Sequence, residues 1–73
     1  MDLEMLRNFI AIVQAGNLTG ASERIHIAQP TLSRQIRQLE SYYDAKLVLT
    51  ERGSRQLVLT DAGRLLLEKA QYI

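Results

Sequence analysis

The sequence predicts a small, mainly α-helical domain with one β-hairpin, and three observations carry that prediction. Apolar residues recur at helical spacing between residues 3 and 43 and again after residue 60. Two runs of strand-forming residues, 47–50 and 57–59, flank a segment that contains Gly53 and Ser54. The 73 residues are 47% hydrophobic, which fits one packed domain that is too small to enclose a large active site.

The first two helices are predicted from their apolar faces and their boundaries. Residues 3 to 14 form an amphipathic helix that stops near Gly16, and its apolar positions are Leu3, Leu6, Phe9, Ile10 and Val13. Asn17 can cap the second helix, which finishes around His26. The inner face of that helix consists of Leu18, Ala21, Ser22 and Ile25. Its small residues allow close approach to a neighbouring helix.

The third helix has two different faces. Pro30 fits its first turn, because its φ is already helical and no N–H is needed there, and the helix runs to about Tyr43. At about 100° per residue, one arc holds Leu32, Ile36 and Leu39, and the opposite arc holds Pro30, Ser33, Arg34 and Arg37. Neither Ala28 nor Gln29 is a strong N-cap, so we hypothesise that Gln29 serves a ligand.

The remaining elements complete a winged helix-turn-helix. Residues 47–50 and 57–59 pair as a hairpin, and Thr60 caps a last helix that starts at Asp61 and is still running at the end of the chain. Its apolar positions include Ala62, Leu65, Leu66 and Ala70. The expected organisation is a domain at 1–60, with a three-helix core and a two-stranded wing, followed at 61–73 by the start of a further helix.

Charge is distributed unevenly, although the net charge is only +1. Residues 24–55 contain six basic and three acidic residues, a local net of +3, so the two flanks together carry −2. Because local fields steer polyanions, this middle segment is the predicted contact surface for nucleic acid.

Composition argues against several other kinds of protein. The absence of cysteine excludes disulfides and thiolate zinc sites and fits a reducing cytoplasm. His26 is the only histidine, so we predict neither a metal site, nor a cofactor, nor a catalytic residue. No apolar stretch approaches the roughly 20 residues that span a bilayer, and no secretory signal follows Met1. The chain is predicted to be cytoplasmic, with no membrane partner.

Four blocks of sequence occur in a specific order. Residues 17–22 read N-L-T-G-A-S, residues 29–40 read Q-P-T-L-S-R-Q-I-R-Q-L-E, and residues 59–63 read L-T-D-A-G. Together with residues 6–9 of the first helix, they resemble the N-terminal DNA-binding domain of LysR-type bacterial transcriptional regulators. The corresponding patterns in that family are S-F-T-x-A-A, Q-P-x-L-S-x-x-I-x-x-L-E and L-T-x-A-G.

The resemblance implies that the second and third helices form the helix-turn-helix, with the third in the major groove of double-stranded operator DNA. It implies that the following residues face the operator: Gln29, Pro30, Thr31, Ser33 and Arg34. The hairpin would reach the backbone or minor groove, with Arg52 or Arg55 as the wing contact. The resemblance further implies that residues 61–73 are the start of a truncated linker helix and that a homodimer forms through this C-terminal helix. It also implies an effector small molecule that is bound only by a domain absent from this chain.

Asn17, Leu18 and Ser22 replace the usual Ser, Phe and Ala of the family pattern, which are mild changes, and the larger departures lie near the hairpin. Asp44 stands where a Gly usually ends the third helix, and residues 48–52, V-L-T-E-R, stand where L-F-x-R is expected. Counted from Glu40, the arginine comes two residues late. The wing is therefore expected to be longer or shifted.

Arg34 is the strongest candidate for reading a base. Its guanidinium can donate two parallel hydrogen bonds to O6 and N7 of guanine, a pair worth about 1–3 kcal/mol of discrimination. The alternative is a phosphate contact or a solvated arginine. Gln29 can bond an adenine edge, and Pro30 or Thr31 can contact a thymine methyl. Alternatively, Pro30 only begins the helix and Gln29 only caps it.

The remaining candidates suit phosphate contacts. Arg37 lies one turn further along the third helix, where phosphate binding is favoured over base reading, with solvation as the alternative. Ser33 suits a phosphate or a base, or faces solvent. Thr19 can bond a phosphate through its hydroxyl or backbone N–H, or only helps to start the second helix.

The sequence allows three other interpretations. A winged helix used for protein association, without DNA binding, would explain the small net charge. Tyr42 and Tyr43 could stack on bases, although covering the core or the hairpin is favoured. An enzyme is the least supported class, because no nucleophile, paired base or metal set accompanies the carboxylates.

Overall fold

The computed structural model describes residues 3–50 and 56–72. Along that part of the chain run α1 (Leu3–Ala15), α2 (Leu18–Ile25), α3 (Gln29–Tyr43), β1 (Val48–Thr50), β2 (Leu57–Leu59) and α4 (Asp61–Ala70). The strands pair antiparallel, with Leu49 opposite Val58. The predicted winged helix-turn-helix is confirmed, and the observed ends of α1, α2 and α3 lie within one residue of those predicted.

Local capping sets most of these helix boundaries. The side chain of Asn17 accepts a hydrogen bond from the Gly20 N–H at 2.6 Å, and the Thr60 hydroxyl accepts one from the Gly63 N–H at 3.0 Å. Both caps satisfy a backbone donor that the first helical turn leaves free. His26 and Asp44 end α2 and α3 in the left-handed conformation, with φ of 58° and 51°. The predicted end of α2 around His26 is confirmed.

The core forms two adjoining apolar clusters. One lies between α1, α3 and α4 and consists of Leu6, Phe9, Leu39, Leu47, Leu66 and Ala70. The other joins α1, α2 and α3 and consists of Ile12, Ala21, Leu32 and Ile36. The predicted apolar arc of α3 therefore supplies residues to both clusters. Packing on this arc fixes which face of α3 points outward.

Backbone N–H groups at the ends of the hairpin segment donate hydrogen bonds to the turn after α1, to a carbonyl at the opposite end of the segment and to α3. The Leu57 N–H donates to the Gly16 carbonyl at 2.9 Å, and the Thr60 N–H donates to the Leu47 carbonyl at 3.0 Å. The Leu47 N–H donates to Glu40 Oε2 at 2.9 Å. Leu47, predicted as the first residue of the strand, instead precedes β1 and is buried in the core.

Three further expectations differ from the structure. The last helix ends at Ala70, and residues 71–72 form a turn, in which the Tyr72 N–H donates to the Lys69 carbonyl at 3.1 Å instead of making the α-helical bond. Leu65, predicted as part of the apolar face of that helix, is 55% exposed. Tyr42 does not cover the core: it is 64% exposed and packs edge-on against Tyr43, with ring centroids 5.0 Å apart.

Candidate nucleic-acid interface

The outward face of α3 carries the residues that the sequence identified as candidates. Gln29, Pro30, Arg34 and Arg37 are exposed, whereas Thr31 and Ser33 are half-buried. Leu32, Ile36 and Leu39 lie on the opposite face and are at most 6% exposed. An apolar anchor on one side thus holds a polar and cationic surface on the other, as the periodicity predicted.

A shallow, open groove lies where α2 meets the start of α3. It is lined by Leu18, Ser22, Gln29, Pro30 and Ser33. The structure therefore brings three of the candidate residues together with two residues of α2. The sequence placed Leu18 and Ser22 only on the inner face of their helix. Their half-buried positions at the helix junction gave no separate signal in the sequence.

Ser33 and Arg37 form a pair on the surface of α3. Arg37 Nη1 donates to Ser33 Oγ at 2.9 Å, one helical turn apart. This bond draws the guanidinium back along the helix toward its N-terminus. The Ser33 hydroxyl retains its own O–H as a donor. The two side chains consequently present a joint donor surface beside the groove.

Arg34 is the unengaged cation of this surface. Within residues 3–50 and 56–72, its exposed guanidinium has no hydrogen-bond or ion-pair partner. By contrast, Lys46 lies 3.8 Å from the Glu40 carboxylate, and Arg64 pairs with Asp61. Arg34 can therefore bind an anion or a base edge without first breaking an internal contact.

The N-terminal ends of α2 and α3 bear on the alternative roles of Thr19 in starting α2 and of Gln29 in capping α3. Asn17 caps α2, so the exposed Thr19 hydroxyl is not the capping group. Ala28 occupies the N-cap position of α3 and no side chain caps that end, so Gln29 does not act as the cap. The exposed amide of Gln29 is thus available at a helix start, where the helix dipole favours anions.

The wing candidates Arg52 and Arg55 lie outside the described residues. On either side of them, strand β1 ends at Thr50 and strand β2 begins at Leu57. Across the described ranges, no group of three His, Asp or Glu side chains is placed to hold a metal ion. No helix in the same ranges is long and apolar enough to cross a membrane.

A protein-family model described as bacterial regulatory helix-turn-helix protein, lysR family, matches residues 3–64. Among curated proteins, the HTH-type transcriptional regulator TcbR of Pseudomonas sp. (strain P51) is 42% identical over 73 residues. The match covers the whole of this chain but 24% of that relative. The chain thus spans about a quarter of the length of this relative.

Solved structures with the same fold include two complexes with DNA. The crystal structure of the CbnR DNA-binding domain with DNA superposes with a TM-score of 0.88 and 39% identity, covering 99% of this chain and 80% of that one. The DNA-binding domain of BenM with benA site 1 DNA gives a TM-score of 0.87 and 40% identity, covering 99% and 81%. The similarity extends over every element described above.

Proposed function

The chain belongs to the LysR family of bacterial regulatory helix-turn-helix proteins, and we propose that it binds a specific double-stranded DNA operator as the DNA-binding domain of a transcriptional regulator. In this proposal α3 enters the major groove. Gln29, Pro30, Thr31, Ser33 and Arg34 meet base edges there, and the wing lies on the backbone or minor groove. Bacterial DNA lies in the cytoplasm, so the proposed location is cytoplasmic.

The free guanidinium of Arg34 is the observation that carries this proposal. It projects from a helix whose other face is anchored by Leu32 and Ile36, so the core decides that this side of the helix faces outward. A helix of about 10–12 Å diameter fits the major groove of about 12 Å. Thr19 and Arg37 are proposed to contact phosphates, and such contacts position the helix but carry no sequence information.

Selection of bound sites from random DNA, followed by mobility-shift titrations, tests the proposal. We expect binding to weaken steeply with salt, because each neutralised phosphate releases counterions. Arg34→Ala is expected to reduce the preference for the selected site over random DNA by about 5- to 150-fold, from the loss of about 1–3 kcal/mol of discrimination. Arg64→Ala is the matched control, because Arg64 is engaged with Asp61 on α4.

Unchanged preference in the Arg34 variant would contradict the base-reading role. Absent or salt-insensitive binding by the wild-type chain would instead favour a winged helix used for protein association. The relatives are regulators, and the proposal assigns no catalytic step to this chain.

We also propose that the chain acts as a homodimer through α4. An apolar groove of about 500 Å³ runs along this helix, lined by Leu6, Tyr43, Ala45, Leu47, Ala62, Leu65, Leu66, Lys69 and Ala70. Leu65, at 55% exposure, stands at its edge. In this proposal α4 begins a linker helix, and any effector small molecule binds a domain outside this chain. Paired half-sites about one helical turn apart, or a multiple of it, are the expected target.

Sedimentation of the wild-type chain and of Leu65→Asp tests the proposed dimer. A charge at this position is expected to lower the association of two copies, because it would be buried without a partner. Leu49→Asp is the control, since Leu49 is similarly exposed, at 53%, but lies on the hairpin. Equal effects of the two substitutions would argue against α4 as the specific interface.

A further inference from the structure

Asn8 of α1 is a buried polar residue in a helix that otherwise turns apolar side chains inward. It is 7% exposed, and its Nδ2 donates to Gln35 Oε1 of α3 at 2.8 Å. The two residues are 27 positions apart in the chain. This bond therefore joins the first helix to the helix that carries the candidate base-reading residues.

Gln35 lies at the boundary between the two faces of α3. It is half-buried, and its neighbours in the sequence are the exposed Arg34 and the buried Ile36. At about 100° per residue, it occupies the flank that separates the apolar arc from the outward face. A hydrogen bond at this flank resists rotation of the helix about its own axis.

The apolar anchor of α3 sets this rotation less sharply than the hydrogen bond does. Contacts of Leu32, Ile36 and Leu39 are non-directional, so they tolerate a small roll of the helix. On a helix about 10–12 Å across, a roll of about 10° moves a surface atom by about 1 Å. That displacement takes a 2.8 Å hydrogen bond beyond the normal range of about 2.7–3.2 Å. Binding sites need positioning to about 0.5 Å.

We propose that Asn8 and Gln35 are positioning residues for DNA recognition: their hydrogen bond fixes the rotation of α3, and with it the direction in which Arg34 points. The inference rests on the proposed function. Neither side chain touches DNA in this account. Their role is to hold the base-reading residues in register with the base edges.

The test separates positioning from stability by replacing both partners together. Asn8→Leu combined with Gln35→Met exchanges the hydrogen bond for an apolar contact of similar size, which is expected to leave the urea unfolding midpoint at or above that of the wild type. The preference for the selected site over random DNA is expected to fall about tenfold, equivalent to about 1.4 kcal/mol. Gln14→Leu, on the exposed side of α1, is the matched control and should leave the preference unchanged.

Exchanging the two amide residues tests whether a restored hydrogen bond recovers the preference for the selected site. Gln35→Asn alone shortens the reach between the amides by one methylene and should lower the preference. Adding Asn8→Gln restores the combined length and should recover the wild-type preference to within about threefold, or about 0.7 kcal/mol. This second series decides the matter if the Leu and Met double variant does not fold.

The outcomes for the inference and for the proposed function are distinct. A wild-type chain without any preference for its selected site would remove the proposed function. A wild-type chain with a preference that the folded double variant retains would overturn the inference alone. Failure of the exchanged pair to recover a preference lost in Gln35→Asn would overturn it as well.

Discussion

Replacing Gly63 with alanine tests how closely α4 approaches the segment before β1. In an ordinary helix interior this substitution gains about 1 kcal/mol, because alanine is the better helix former. Here, a Cβ on residue 63 would lie 2.0 Å from the Leu47 carbonyl oxygen and 3.0 Å from a methyl carbon of Leu59. Backbone at such a distance must move by more than about 1 Å to reach the C···O separations of about 3.3 Å seen in close contacts.

The Leu47 carbonyl that must move makes other contacts, and these determine how much stability the substitution costs. It accepts the Thr60 N–H at 3.0 Å, and the Leu47 side chain behind it is 1% exposed. Overpacking typically costs about 1–3 kcal/mol, and a strained hydrogen bond adds about 1 kcal/mol. After the gain in helix propensity, we expect a net destabilisation of about 2 kcal/mol. For a domain of this size, that lowers Tm by about 8–16 °C.

Thermal and urea unfolding, followed by circular dichroism, measure this effect. Gly20→Ala is the control, since a Cβ there meets only side-chain atoms, the nearest being Asn17 Oδ1 at 3.2 Å. We expect the Gly20 variant to change stability by less than about 0.5 kcal/mol, as the small shift it needs is offset by helix propensity. A Gly63 variant as stable as the wild type would refute the close approach of α4 to Leu47. Equal losses at both glycines would show a general sensitivity to added methyl groups.

Three further predictions concern the cap, the hairpin attachment and the wing. Asn17→Ala should cost about 1 kcal/mol in urea unfolding through loss of the bond to Gly20, whereas Asn17→Asp should cost little. Glu40→Ala should lower the free energy of unfolding by about 1–3 kcal/mol, because the Leu47 N–H loses its acceptor. Glu40→Gln keeps an acceptor and should cost less. Equal losses in the two variants would implicate the Lys46 ion pair instead. Arg52→Ala should weaken binding to all DNA sequences similarly and lower the salt slope by about 1; the same result for Arg55→Ala alone would move the wing contact there.

Glu40 belongs to a motif that was recognised in the sequence, but its contacts are seen only in the structure. Its position at the end of the Q-P-x-L-S-x-x-I-x-x-L-E pattern contributed to the resemblance to the family. The carboxylate lies 3.8 Å from Lys46, and it also accepts the Leu47 N–H and is 13% exposed. The backbone contact depends on how the chain turns after α3, which charge and spacing do not specify.

The candidate interface was predicted from periodicity, and its detail came from packing. The two arcs of α3 follow from the helical repeat, so the outward residues could be named directly. Predicting the groove between α2 and α3 would have required the angle between those helices, which brings Ser22 and Ser33 into the lining of the same groove. The contacts proposed for Arg52 and Arg55 stay predictions, because those residues lie outside the described ranges.

The order of the elements, most of their ends and the apolar face of α3 could be predicted from the amino-acid sequence. Caps such as Asn17 and Thr60, and the helical repeat, act over three or four residues, so a short segment contains all that they need. Three other features became visible only in the folded chain: Gly63 meets the Leu47 carbonyl, Asn8 bonds Gln35, and Tyr42 faces solvent. Each of these depends on distances between elements, which are set by the packing of the whole core and not by any single segment.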